Sequence, residues 1–116
     1  MNINEFTRAT FQEGNEHYSF YTRPRIHCKD GFNFSVQGGS GHYCSPRTNS
    51  KEFAEMEIGY PSEVEELILE FAEDSNKPTE TVYGYVDIDI IQQVIDKHGG
   101  IDEEKTMGFD KYQIVE

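Results

Sequence analysis

Tryptophan is absent from this 116-residue chain, and cysteine occurs only twice, at Cys28 and Cys44. So few cysteines argue against a disulfide-stapled scaffold. No apolar run approaches the ~20 residues that cross a bilayer. The first residues carry neither a basic cluster nor the apolar stretch of a secretory leader, so a cytoplasmic protein without membrane contact is expected. Cations are scarce as well. Ten Lys and Arg stand against 22 Asp and Glu, a formal net charge of −12. Binding to nucleic acid depends on clustered Lys and Arg, which makes direct nucleic-acid binding unlooked for here. At 116 residues the chain suits a single domain, 1–116, with a modest core.

What is present is unevenly placed. Residues 1–50 carry four acids against five cations, whereas residues 51–116 carry the other 18 acids against five lysines. The pattern predicts two surfaces of different character on one α+β domain: an antiparallel sheet of about five strands, packed by two amphipathic helices, with a short N-terminal helix. Ile3, Phe6, Thr10 and Phe11 share a helical face that Asn2 or Asn4 could cap and Gly14 could end. Strands are expected over 18–22, just after Pro24, over 32–37 where Phe32, Phe34 and Val36 alternate with polar residues, and over 54–58. His42-Tyr43-Cys44 reads as the antiparallel return of 32–37 across the turn Gly38-Gly39-Ser40-Gly41. Ser62 and Glu65 have capping-box spacing, and Val64, Leu67, Ile68 and Phe71 would be the apolar stripe of the second helix. Thr81–Val86 reads as a central strand in which Gly84 marks a bulge or a close approach. Asp87 would cap a third helix whose inward residues are Ile88, Ile91, Val94 and Ile95, closed by His98-Gly99-Gly100. A last strand is expected over 109–115.

One group has metal-ligand chemistry. His27, Cys28, His42 and Cys44 offer two imidazoles and two thiols within 18 residues, the donor types that bind zinc tetrahedrally. The spacing is not that of a zinc finger. In simple hairpins Cys28 would point away from the other three, so one bulge is needed, or His17, Asp30 or water as fourth ligand. The competing reading makes both cysteines small core residues and both histidines strand-surface residues. No catalytic constellation emerges. His42 and Cys44 share a strand face but stand about 7 Å apart by strand rise. Gly38 to Gly41 lacks the lysine of a phosphate-binding loop. The chain therefore reads as a non-enzyme.

The acids of the second half would coat one side of the molecule, a field that speeds association with a basic partner. Arg23, Arg25 and Arg47, with Tyr18, Phe20, Tyr21 and Tyr43, suggest instead a small anion-binding surface. Met1-Asn2-Ile3-Asn4, the acidic balance and Thr81-Val82-Tyr83-Gly84-Tyr85-Val86 leading into Ile91 to Gly100 resemble small acidic proteins of phages and mobile elements, among them anti-CRISPR inhibitors of type II effector nucleases. That resemblance implies a stoichiometric inhibitor that docks on a basic nucleic-acid-binding protein, such as a CRISPR effector nuclease, and blocks nucleic-acid loading. It implies a contact face of Glu63, Glu66, Glu70, Glu73 and Asp74, with Glu55 and Glu57 beside them, and a zinc site that holds the arginine-bearing strands in shape. Two alternatives stand beside it: a sponge for a small anionic signal, using the arginines and tyrosines, and a structural or regulatory phage protein.

Overall fold

A computed structural model describes residues 1–12 and 22–108 of the chain. The strand expected over 18–22 (Thr22 apart), the end of the first helix at 13–14 and the strand expected over 109–115 lie outside these residues. The fold is α+β. Helix α1 (Ile3–Ala9) opens on a capping box, Asn2 accepting from the Glu5 N–H while Glu5 accepts from the Asn2 N–H. Four strands follow: β1 (Ile26–His27), β2 (Asn33–Gln37), β3 (Glu55–Gly59) and β4 (Val82–Asp87), paired antiparallel in the order β1-β2-β3-β4. A 3-10 helix (Glu66–Phe71) sits between β3 and β4, and helices α2 (Ile88–Lys97) and α3 (Glu103–Met107) complete the described chain.

Period-two alternation sends Phe34 and Val36 of β2 and Met56 and Ile58 of β3 into one core. Ile3 and Phe6 of α1, Ile68, Tyr83, Val86, and Ile91, Val94 and Ile95 of α2 join it. Helix α2 begins where the sequence places it, with Asp87 accepting from the Asp89 N–H at 2.8 Å. It ends at His98, and Gly99 and Gly100 follow at φ 90° and 94°, a turn that a β-carbon would strain. The Gln92 side chain accepts from the Ile3 N–H at 2.8 Å and ties α2 to α1. Helix α3 closes the outer edge of β1. Thr106 Oγ1 accepts from the His27 N–H, and the Asp102 N–H donates to the His27 carbonyl.

The strand expected at the centre of the sheet is β4, which lies at one end of the order among the described residues. Three further sequence expectations need correction. The sheet has four strands among the described residues, because His42-Tyr43-Cys44 is not a strand and β2 pairs with β3 instead, Gln37 opposite Glu57. The segment 38–54 folds back on itself: the Cys44 thiol bonds Gly39 and Pro46, and Gly38 lies under the Phe53 ring. The third correction concerns 62–74, which forms a 3-10 helix and no α-helix. Ser62 does not cap it; its hydroxyl accepts from the Asn33 N–H and its own N–H donates to the Asn33 carbonyl, docking the segment on β2. Ile68 is buried, whereas Val64 and Leu67 stay exposed at 53% and 37%. The apolar stripe therefore does not form.

Gly38 carries a testable consequence. A β-carbon there would stand 2.5 Å from the Phe53 ring, and Phe53 is buried. Gly38→Ala is expected to destabilise the protein by about 1–3 kcal/mol through overpacking, read as a lowered urea midpoint. An unchanged midpoint would mean that Phe53 does not occupy this place.

Candidate functional site

The most highly organised polar cluster is one that the sequence hid. Asp30, in the turn after β1, Glu65, just before the 3-10 helix, and Lys97 and His98, at the end of α2, converge beneath Phe32. His98 Nδ1 lies 2.6 Å from Asp30 Oδ2, and Nε2 lies 2.7 Å from Glu65 Oε1. Glu65 is 1% exposed; its second oxygen accepts from the Leu67 N–H and from Lys97 Nζ, both at 2.9 Å. Phe32 stacks on the imidazole with centroids 4.0 Å apart. With a carboxylate on each ring nitrogen, both nitrogens donate, which requires the imidazolium. Burial pulls the His98 pKa down, but the hydrogen bonds to Glu65 and Asp30 outweigh it and the net shift is upward. Burial likewise pushes Glu65 up, and the donors Leu67, His98 and Lys97 bring it below the usual carboxylate range. The Phe32 N–H, then His98, lower Asp30. Two negative and two positive charges thus balance in place. No ring nitrogen is left free to take a proton from a substrate, so the cluster is a structural clamp across three segments.

The expected zinc ligands are not brought together. Cys28 is buried and bonds through its N–H to the Phe32 carbonyl, whereas the Cys44 thiol is held by Gly39 and Pro46. From Phe32 to Gly39 an extended chain spans ~20 Å, so the two pairs occupy opposite ends of β2. Among the described residues no group of three or more His, Cys, Asp or Glu is placed to hold a metal ion. This donor set does not fit one tetrahedral zinc. Burial and the charge of Asp30 push the Cys28 thiol up to about 12, and burial raises Cys44 as well. His27 stands opposite Asn33 in the ladder, as its expected face requires. His42 turns its Nδ1 to Glu57 Oε1 at 3.0 Å.

The chain matches no family model, no curated protein and no solved structure.

The arginines do not converge on one site. Arg23 is buried, its guanidinium donating to Thr10 Oγ1, Gly38 O, Thr7 O and Ser50 O. Arg25 donates to Asn33 and to the Tyr60 carbonyl. Arg47 donates to the His42 carbonyl and lies 5.4 Å above the Tyr43 ring. Tyr18, Phe20 and Tyr21 lie outside the described residues. Of the expected acidic contacts, Glu63, Glu66, Glu70, Glu73 and Asp74 are all exposed. Glu55 and Glu57 do not join them. Alternation puts both on the sheet face opposite Met56 and Ile58, and Glu57 is engaged by His42 and the Tyr43 N–H. No helix among the described residues is long and apolar enough to cross a membrane.

Proposed function

We propose that the protein is a stoichiometric binding protein that docks a basic, nucleic-acid-binding protein through residues 63–74 and so blocks nucleic-acid loading. The resemblance noted above points to CRISPR effector nucleases as the partner class. The observation that carries this reading is the state of the segment: five exposed carboxylates within twelve residues, no salt bridge to any of the five among the described residues, and Val64 and Leu67 exposed between them. Exposed apolar groups set in a field of one sign are what a docking surface combines with solubility. The shortness of the 3-10 helix supports it, since its packing buries Ile68, sets Phe71 half-buried against the core and leaves these five acids exposed. The anion-sponge reading has less support, because Arg23, Arg25 and Arg47 each already donate to carbonyl groups of their own neighbourhood.

A charge reversal tests the proposal. The triple variant Glu66→Lys, Glu70→Lys and Glu73→Lys should keep its circular dichroism spectrum, because all three side chains are exposed. It should lose roughly 10–100-fold in association rate with a purified type II effector nuclease at low salt. Equal association by the parent and the variant, or a parent rate that does not respond to salt, would sink the proposal.

A further inference from the structure

Strand β4 carries one residue more than β3 between two rungs of their ladder, Met56 to Val86 and Ile58 to Tyr83. The surplus falls at Gly84-Tyr85, and Tyr85 sits at φ 53°, a region that disfavours residues with a β-carbon. A bulge re-aims side chains. Here it keeps Tyr83 and Val86 buried and leaves Tyr85 43% exposed. Tyr43 joins it from the segment that folds over the sheet: the Tyr85 N–H donates to the Tyr43 carbonyl at 3.0 Å, and the two rings lie 6.0 Å apart at 38°. Gly84 permits the approach, since a β-carbon there would stand 3.1 Å from the Tyr43 β-carbon. Glu57 fixes Tyr43 from behind by accepting from its N–H. A strained residue, a glycine and a half-buried acceptor thus hold two tyrosine rings together in solvent.

The surroundings decide what such a pair would take. Arg47 already covers Tyr43, so Tyr85 is the ring with an open side. Glu55 stands directly opposite Asp87 across the ladder, and like charges in that position repel. Asp87 has a role as the cap of α2, whereas Glu55 makes no salt bridge among the described residues. Tyrosine faces attract cations, and tyrosine is enriched where interfaces gain most of their energy. We infer that Tyr43 and Tyr85 form a second docking surface, on the sheet face, for an arginine- or lysine-bearing segment of the basic partner, its cation lying on the Tyr85 ring with Glu55 as counter-charge. This rests on the reading that the partner is basic; it adds a surface separate from residues 63–74.

The test uses the whole chain and a hexa-arginine peptide as the probe, followed by NMR. In the parent, the ring protons of Tyr43 and Tyr85 and the amides of 63–74 should shift on titration. Tyr85→Gly should abolish the response at Tyr43 and weaken binding roughly two- to fivefold, while residues 63–74 still respond. Its melting temperature should hold or rise, because glycine adopts this φ without strain; a ring with a merely structural role would lower it. A parent response confined to 63–74 overturns the second surface and leaves the acidic segment standing, and a response at neither place overturns both. Concentration-dependent tyrosine shifts without peptide would make a second copy of the chain the occupant and would likewise overturn the inference.

Discussion

Replacing His98 by alanine is expected to lower the unfolding free energy by about 3–5 kcal/mol, because the change strips a partner from a buried charge. Glu65 is 1% exposed and accepts from His98 Nε2 at 2.7 Å. Without the imidazolium it keeps the Leu67 N–H and Lys97, but one oxygen loses its donor in a place water does not reach. The stacking of Phe32 on the ring goes too. A second substitution separates these causes. Glu65→Leu added to His98→Ala removes the stranded carboxylate and should recover about 1–2 kcal/mol, since taking away both members of a buried pair costs less than taking away one. Urea unfolding of the two variants measures both quantities. A single variant within 1 kcal/mol of the parent, or a double variant no more stable than the single, would remove the buried charge as the cause.

The same cluster sets a pH dependence whose sign is fixed by the directions of the shifts. His98 is raised in the folded state, so its contribution is complete below its unfolded value of about 6.5 and fades as pH rises through the folded value. Asp30 and Glu65 are lowered, so theirs is complete above about 4.3 and fades as pH falls through the folded values. Stability from this cluster should therefore be greatest between about pH 4.5 and 6.5. On the alkaline side the decline belongs to His98 and should be missing from the His98→Ala chain.

How much of this was legible follows from what each residue's environment depends on. The cap of α1 at Asn2, the alternation of β2 and β3, the bulge at Gly84 and the cap of α2 at Asp87 are local matters, set by spacing and by side chains reaching their own backbone. Glu65 is hidden in the sequence for the opposite reason. Its sequence neighbours make it look like the third residue of a capping box, yet its real partners, His98 and Lys97, lie 33 and 32 residues away. Once Glu65 turns inward to meet them and Ser62 is bonded to Asn33, an α-helix from 62 onward has no free start, and the chain makes a tighter, shorter 3-10 turn instead. The fate of 42–44 is similar. Its strand-like residues were outcompeted by β3 for the edge of β2, because Met56 and Ile58 bring more apolar surface to the core. Charge excess on 63–74 was visible in the sequence; the exposure of Val64 and Leu67 among those acids was not.

Arg23 is expected to show the other large effect, and its variant also separates a structural guanidinium from an anion-binding one. The side chain is 3% exposed. It donates through Nε to Thr10 Oγ1 at 2.8 Å, through one terminal nitrogen to Gly38 O at 3.1 Å, and through the other to Thr7 O at 3.3 Å and Ser50 O at 3.1 Å. Its backbone exchanges two hydrogen bonds with the Gln37 side chain, and its guanidinium lies 5.6 Å over the Phe53 ring. One residue thereby joins α1, the end of β2 and the segment before β3. Arg23→Ala leaves several carbonyls in the interior without a donor, each worth about 1–3 kcal/mol when stranded, and should cost about 3–5 kcal/mol in total. In a domain whose whole stability is on the order of 5–15 kcal/mol, that is a fall in melting temperature of roughly 10–20 °C. Arg23→Lys should recover less than half of it, because an ammonium cannot span acceptors spread over four residues as the planar fork does. Thermal melts of the three chains, each with and without millimolar phosphate, decide the matter. A loss near 4 kcal/mol with no protection by phosphate places Arg23 in the frame of the fold. A stable Arg23→Ala chain, or a parent that phosphate protects and the variant that it does not, would instead assign the guanidinium to an anion.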